Sequence, residues 1–333
     1  MKIKNKAWSI HELGQRTNQE DSLWPDDGKQ PAASDLYILC DGMGGHESGE
    51  VASQTVCQAM SDYILAHRRE DGTFGEEDFR AALDAAYDAL DAKDNGAAKK
   101  MGTTLVFVKF HRDGCFVAHI GDSRVYHVRP SSREVLFVTR DHSLVNDLVQ
   151  LGELTEEEAR TSRQKNIITR AMQPNQERRT KADWVNLTDL EQDDYIYMCS
   201  DGMLEISEDR EIVNILAMKR SDPQKVEILK GSTKNNRDNH SAHLIHITSV
   251  ERDGEPAAGA GEKNPVAAAP VAPAAPAPQS SAPVPADPEG GCSCWKWTVA
   301  VCSVLLLVGA IAFVLTKCSN ENPKSKARTE QRS

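Results

Sequence analysis

The sequence has little of what a nucleic-acid partner requires. Its 333 residues include 39 Lys and Arg against 50 Asp and Glu, which gives a formal net charge of -11, and only 5% are aromatic. By segment, the charge is about -12 over residues 1–253, about -3 over 254–290 and about +4 over 291–333. Phosphate backbones call for basic surface, so the acidic first segment argues against nucleic acid as a partner.

The sequence also lacks a paired-cysteine framework and a secretory leader. Four cysteines stand singly in apolar stretches, and we expect them to be buried free thiols: Cys40, Cys57, Cys115 and Cys199. The other four flank or enter a hydrophobic run: Cys292, Cys294, Cys302 and Cys318. No second pair follows Cys292 and Cys294 to complete a zinc site, and acylation near a membrane stays an open alternative. The N-terminal lysines precede no apolar core, so we predict no signal peptide.

The C-terminal part of the chain predicts a membrane anchor. Residues 254–294 are rich in Ala and Pro and predict a disordered linker. Residues 295–317 predict a transmembrane helix, because the uncharged run 298–316 would span about 28 Å as a helix. Residues 318–333 form a short basic tail. The positive-inside rule favours a cytoplasmic tail, but the absence of an export signal favours a cytoplasmic domain 1–253 with the tail outside.

Hydrophobic patterning within residues 1–253 predicts one domain of the α+β class. Alternating apolar runs predict strands at 35–40, 104–110, 115–120, 124–128, 135–139, 195–199 and 243–248. Helical periodicity predicts helices at 47–66, 76–92, 143–151, 156–163 and 210–219. Short links between several strands favour antiparallel pairing. Grouped strands with helices between them favour a layered α+β architecture.

Acidic residues at the ends of predicted strands point to metal chemistry. Asp41 and Asp201 each end an apolar run and each precede a glycine. Glu20–Asp21 lies upstream and Asp238–Asn239 lies downstream. Hard divalent cations prefer oxygen ligands, and a pair of them needs several carboxylates brought together by the fold. The pattern therefore predicts a two-metal hydrolase acting on phosphate esters.

Two other groups of polar residues favour structural roles when taken alone. Asp122, within Gly121–Asp122–Ser123, stands between two predicted strands and is typical of a hairpin turn. His240, His243 and His246 recur every three residues in a region patterned as a strand. Side chains at that spacing do not share one face of a strand, which argues against a zinc site.

Eight short motifs follow one another along the first 240 residues. They are Arg16-x-Asn18-x-Glu20–Asp21, Asp41–Gly42–Met43–Gly44–Gly45–His46 with Gly49–Glu50, Gly102–Thr103–Thr104, Gly121–Asp122–Ser123–Arg124, Asp141–His142–Ser143, Ile168–Thr169–Arg170–Ala171, Ser200–Asp201–Gly202 and Asp238–Asn239. In this order they resemble the metal-dependent protein phosphatase family, the type 2C serine/threonine phosphatases, and the second motif is similar to the bacterial branch. The resemblance runs from about residue 6 to residue 249.

This resemblance implies a four-layer α-β-β-α sandwich of two antiparallel sheets flanked by helices, with two Mn²⁺ or Mg²⁺ ions at one edge. It implies these roles: Asp41 as bridging ligand; Asp21, Asp201 and Asp238 as further ligands; the Gly42 carbonyl as an oxygen ligand; Glu20 acting through bound water; Arg16 as phosphate clamp; and Asp122 as ligand of a third, weaker ion. Asp41, Asp201 and Arg16 would carry the chemistry, which is direct attack of a metal-bridging hydroxide on phosphorus.

The resemblance also implies phosphoserine and phosphothreonine proteins as substrates, and a bacterial serine/threonine kinase as the opposing enzyme. Two positions depart from the family pattern: Met43 stands where some members have histidine, and Glu205 stands where Asp is usual. A catalytically inactive phosphoprotein-binding module on the same fold is the alternative, although none of the core ligands is missing. A nucleotide phosphodiesterase is a third hypothesis, which the acidic charge and the lack of a cluster of aromatics disfavour.

Overall fold

The computed structural model describes residues 1–26, 31–44, 47–94, 96–205 and 209–252. The predicted linker, transmembrane helix and basic tail lie outside these residues. Within the described residues, no helix has both the length and the apolar character needed to cross a bilayer.

Two antiparallel sheets form the centre of the fold. The first has the strand order β1–β11–β10–β7–β8. Its strands are β1 Lys2–Glu12, β7 Arg124–Arg129, β8 Glu134–Val138, β10 Tyr195–Cys199 and β11 His240–Glu251. The second has the order β2–β3–β5–β6–β9, with β4 paired to β3. Its strands are β2 Asp21–Trp24, β3 Leu36–Met43, β4 Gly102–Thr103, β5 Leu105–His111, β6 Gly114–Ile120 and β9 Asp183–Leu187.

Side chains alternate between the two faces of each strand, so each sheet packs against a different layer on either side. In β3, Leu36 and Ile38 pack in the cluster shared with the helices α1 (Glu47–Ala66) and α2 (Glu76–Asp91). Tyr37 and Leu39, which point to the opposite face, pack in the cluster between the sheets. A third cluster covers the outer face of the first sheet with α5 (Asp209–Leu216) and α6 (Asp222–Thr233). Two antiparallel sheets flanked by helices are therefore confirmed.

Between β8 and β9 the chain carries the short helices α3 (Leu144–Gln150) and α4 (Glu156–Thr161). Both begin with a side-chain cap, because Ser143 accepts from the N–H of Asn146 and Thr155 accepts from that of Glu158. The four described cysteines are buried free thiols, as expected.

The expectation of a hairpin turn at Gly121–Asp122–Ser123 is wrong. Ile120 ends β6 in the second sheet, and the next strand, β7, pairs with β8 and β10 in the first. Gly121 has a φ of 104°, and a Cβ on it would lie 2.6 Å from Cγ2 of Thr104. The link therefore passes from one sheet to the other, which places Asp122 where the two sheets meet.

Candidate active site

Two of the predicted carboxylates face each other across neighbouring strands. Asp21 at the start of β2 pairs in register with Asp41 in β3. Three backbone contacts fix Asp41: its N–H donates to Oγ1 of Thr104 at 3.0 Å, and its carbonyl accepts from the N–H of Thr104 at 2.8 Å and from Oγ1 of Thr103 at 3.0 Å. The hydroxyls of the Gly–Thr–Thr motif thus hold the end of β3.

Gly42 lets three backbone segments meet beside Asp41. Its N–H donates to the Glu20 carbonyl at 3.0 Å. A Cβ at Gly42 would lie 2.2 Å from the Gly49 carbonyl oxygen and 2.5 Å from that of Glu20. Only glycine fits so close an approach of backbone to backbone. The start of α1 is therefore packed against the strand ends that carry the acidic residues.

Asp201 joins this group from the first sheet. It follows Ser200 at the end of β10 and starts a 3₁₀ turn, Asp201–Leu204. Ser200 Oγ donates to Oδ2 of Asp21 at 2.9 Å and accepts from the N–H of Ser241 at 3.0 Å. A Cβ at Gly202 would lie 1.9 Å from the Asn239 carbonyl oxygen. Ser200 therefore links the two sheets at the site, and the close approach at Gly202 packs the 3₁₀ turn against the residue before β11.

Asp238 is placed by its neighbour Asn239 and touches Arg16. Asn239 Nδ2 donates to the carbonyls of Leu13 at 2.9 Å and Asn18 at 3.0 Å, and its Oδ1 accepts from the N–H of Glu20 at 2.8 Å. Nη2 of Arg16 lies 2.7 Å from Oδ2 of Asp238. The side chain of Arg16 is 51% exposed, so it is accessible to a ligand from solvent.

Burial and mutual repulsion raise the pKa of most of these carboxyls. Burial, followed by the charges of Asp21, Asp201, Asp122 and Asp238, raises the pKa of Asp41. Burial raises that of Asp21 to about 7, against the hydrogen bonds from serines. Burial and then Asp238 raise the pKa of Asp201, although a hydrogen bond from Asp41 lowers it. Burial raises the pKa of Glu20 too, against the Arg16 charge.

Asp122 lies near this group with an unsatisfied oxygen. It is 8% exposed, and its Oδ1 has no hydrogen-bond partner among the described residues. Burial raises the pKa of Asp122 to about 8, and the charges of Asp201 and Asp141 add to the effect. A buried carboxylate oxygen without a partner is costly, and a cation would satisfy it. This donor set of carboxylate oxygens therefore fits hard divalent cations.

The carboxylates converge without closing around a single point. Among the described residues, no three of them bring ligand atoms within 4.8 Å of one another. Magnesium-type ions commonly take only one or two carboxylates and keep several waters. The spacing thus fits ions that share the carboxylates and complete their shells with water, and it does not fit one ion enclosed by protein.

Three other residues do approach that closely: His119, His142 and Asp183. Nδ1 of His142 accepts from the N–H of Gly121 at 3.1 Å, so the neutral ring carries its proton on Nε2, which lies 3.1 Å from Oδ2 of Asp183. Burial lowers the pKa of His142, which favours this neutral form. Arg170 also donates to Asp183, at 3.1 Å. His142 and Asp183 are hydrogen-bonded and His119 stacks on His142, with centroids 4.5 Å apart, so the three hold the Asp122 link, a role that sequence reasoning missed.

The three strand histidines and Glu205 make their hydrogen bonds to groups other than the side chains of these carboxylates, and His240 contacts the Asp238 carbonyl at 3.1 Å. His243 contacts Oγ of Ser9 at 2.9 Å, whereas His246 contacts Asp222 at 2.8 Å. Oε2 of Glu205 accepts from the N–H of Arg237 at 2.7 Å, so this carboxylate bonds to the backbone beside Asp238. Met43 pairs with Gly102 of β4. Three of the eight motifs also supply residues for which sequence reasoning had no role: Ser200, Asn239 and His142.

The fold and this group of carboxylates are those of a phosphoester hydrolase that uses divalent cations. The model of the protein phosphatase 2C family matches residues 13–240. A putative protein phosphatase 2C-type of Streptococcus pyogenes serotype M6 is 34% identical over 260 residues, which cover 75% of this chain and 99% of that protein. The chain belongs to the protein phosphatase 2C family and is a serine/threonine protein phosphatase.

Other relatives agree with this assignment. The serine/threonine protein phosphatase PstP of Mycobacterium tuberculosis is 35% identical over 207 residues, which cover 60% of this chain and 36% of that protein. Its crystal structure superimposes with a TM-score of 0.61 at 30% identity, covering 74% of this chain and 99% of that one. The catalytic domain of PstP in complex with two manganese ions superimposes with a TM-score of 0.59 at 28% identity, over 74% of this chain and 100% of that one.

Proposed function

We propose that this site removes phosphate from phosphoserine and phosphothreonine in proteins with two bound Mn²⁺ or Mg²⁺ ions. The observation that carries the proposal is the meeting of Asp21, Asp41 and Asp201 from both sheets, where burial and then the charges of neighbouring carboxylates raise the pKa of each. Carboxylates crowded in this way need positive charge to ionise together. The manganese in the related PstP domain supports the choice of ion.

The same residues supply the proposed ligands. Asp41, whose carboxyl is affected by the charges of Asp21, Asp201, Asp122 and Asp238, would be shared by the two ions. Asp21, Asp201, Asp238 and the Gly42 carbonyl would complete the set, with Glu20 acting through water. Bound divalent cations supply a water of lowered pKa for attack on phosphorus, and they neutralise charge on the phosphoryl oxygens. Asp122, with its unpaired buried Oδ1, would hold a third, weaker ion.

Arg16 would orient the substrate. Its guanidinium already donates to one carboxylate, Asp238, and its exposed fork can donate two parallel hydrogen bonds to a phosphoryl group. A phosphate held there would lie beside the ligand Asp238. Neither Cys40 in β3 nor Cys199 in β10 is suited to act as the nucleophile, because burial raises the pKa of each thiol.

The test is phosphate release from a phosphothreonine peptide by the full chain, with Mn²⁺ and then with EDTA. Asp201→Asn should abolish release, because it removes a charged ligand of the proposed ions. Asp189→Asn is the matched control, since Asp189 is an exposed carboxylate paired with Arg129. Metal-independent release, or normal release by Asp201→Asn, would contradict the site. Peptide binding by the wild type without release would indicate the inactive binding module.

We also propose that the enzyme is a single-pass membrane protein with its catalytic domain in the cytoplasm, where it would oppose a bacterial serine/threonine kinase. The support is the uncharged run 298–316, which as a helix is long enough to span the hydrocarbon core of a bilayer. Carbonate-resistant membrane association that is lost on deletion of residues 295–333 is expected. A chain that stays soluble with the segment intact would refute the anchor.

A further inference from the structure

A second ligand-sized space lies at the far end of β3 from the carboxylates. This cavity, of about 640 Å³, is bordered by Asp35, just before β3, whereas Asp41 lies six residues along the strand. At roughly 3.3 Å per residue, the two positions are about 20 Å apart. Cavities of this size are typical of small-molecule sites. We call it the Lys109 cavity, after the lysine that lines it.

Aromatic rings form much of its wall. Phe74, Phe110 and the ring of His67, which stacks on Tyr63 with centroids 4.0 Å apart, all line it. Phe74 is also in tilted contact with His111, with centroids 6.3 Å apart. Flat rings with apolar neighbours favour a planar aromatic ligand, which can pack offset or edge-on against them.

Positive charge is concentrated here although the domain as a whole is acidic. Four basic side chains line the cavity: Lys2, Arg68, Arg69 and Lys109. Three acidic side chains also line it: Asp35, Glu77 and Asp78. The Met1 ammonium adds a further positive charge. Residues 1–253 carry about -12. A locally positive cavity in an acidic domain favours an anionic ligand.

Lys109 gives this charge a fixed position. Its side chain is 9% exposed, and its Nζ donates to Oδ2 of Asp35 at 2.7 Å and to the Phe110 carbonyl at 3.1 Å. An ammonium has three N–H donors, so these contacts leave one for a ligand. Arg68 shares the same carboxylate, at 3.0 Å from Oδ1 of Asp35. Two cations on one Asp leave a net positive charge beside the rings.

We propose that the Lys109 cavity binds a small aromatic carboxylate, with its ring against Phe74 and Phe110 and its carboxylate on Lys109 and Arg68. The aromatic side chains favour binding of the ligand's ring, and the net positive charge of Lys109 and Arg68 favours binding of its carboxylate. This site is independent of the metal ligands.

The experiment is calorimetric titration of the full chain with 2-naphthoate, in EDTA and again in Mn²⁺. We expect one equivalent to bind in both, and the neutral isostere 2-naphthalenemethanol to bind at least tenfold more weakly. Equal binding of the neutral compound would overturn the choice of an anion. Equal or tighter binding of decanoate would overturn the choice of an aromatic ring. Naphthoate binding should persist in EDTA and in Asp41→Asn. Failure of the naphthoate proposal can therefore be distinguished from failure of the proposed phosphatase site.

Two variants and a matched control locate the ligand. Ala81→Phe places a ring in the cavity and should weaken naphthoate binding at least tenfold, because Ala81 lines it. Ala85→Phe, one turn further along α2 and outside the lining, is the matched control and should bind like the wild type. Lys109→Met should weaken naphthoate but leave the neutral compound unchanged. Wild-type affinity in a folded Ala81→Phe chain would refute the proposal.

Discussion

The hydroxyl of Ser200 ties Asp21 to the first sheet, and its removal is the most informative single change. Ser200 is fully buried, and its Oγ donates to Asp21 and accepts from the N–H of Ser241. Ser200→Ala removes one hydrogen-bond partner from the buried carboxylate of Asp21 and one from the buried N–H of Ser241. Such losses cost about 1–3 kcal/mol in the free energy of unfolding. Loss of a partner that orients a metal ligand typically weakens metal affinity by roughly 10- to 100-fold.

Two assays separate these effects. Urea unfolding in EDTA measures the loss of stability without metal, and phosphate release against free Mn²⁺ measures the concentration that gives half-maximal rate. Ser61→Ala is the control, because Ser61 is equally buried but donates only to the carbonyl of Gln58 within α1. It should leave the Mn²⁺ requirement unchanged. An unchanged requirement in Ser200→Ala would refute the idea that this serine orients a metal ligand.

Three further predictions follow from other contacts. Gly202→Ala should abolish phosphate release and lower the unfolding midpoint, because its Cβ would lie 1.9 Å from the Asn239 carbonyl oxygen; a stable, active variant would contradict the packing. Arg16→Ala should raise KM for phosphopeptide more than it lowers kcat, since the guanidinium would bind phosphate; equal effects on both would contradict a clamp. Asp222→Asn should cost more stability at pH 5.5 than at pH 8.5. Burial lowers the pKa of His246, but the hydrogen bond and charge of Asp222 outweigh this and raise it. Its stabilisation is therefore complete below the unfolded value of about 6.5 and is lost as the pH rises through the folded pKa. Equal losses in urea unfolding at both pH values would refute this pairing.

The sequence predicts the elements whose periodicity is strong. Predicted and observed bounds agree for α1 and β10, because α1 has a sustained helical pattern and β10 is wholly buried. The sequence does not predict β1, because lysines alternate along the first half of this edge strand and leave little apolar pattern. β9 was missed because it is short and partly exposed, and α6 because its buried residues include Lys225 and Thr233.

The motifs indicated which carboxylates to consider, but not the contacts that hold them. Ser200 reaches Asp21 across 179 residues, and Asn239 reaches Glu20 across 219. No local pattern encodes such partners, because they depend on how the two sheets pack. The link between β6 and β7, which contains Asp122, is a second case that local sequence could not predict. A short polar segment between two strands is compatible both with a hairpin and with passage from one sheet to the other.

We propose that Asp41 joins two cations on which phosphate release depends. The most direct test is calorimetric titration of Mn²⁺ into the metal-stripped full chain, with phosphate release measured on the same samples. We predict about two equivalents of Mn²⁺ for the wild type, with release rising as they bind, and both weakened binding and lost release in Asp41→Asn. Wild-type stoichiometry, affinity and release in Asp41→Asn would contradict the account.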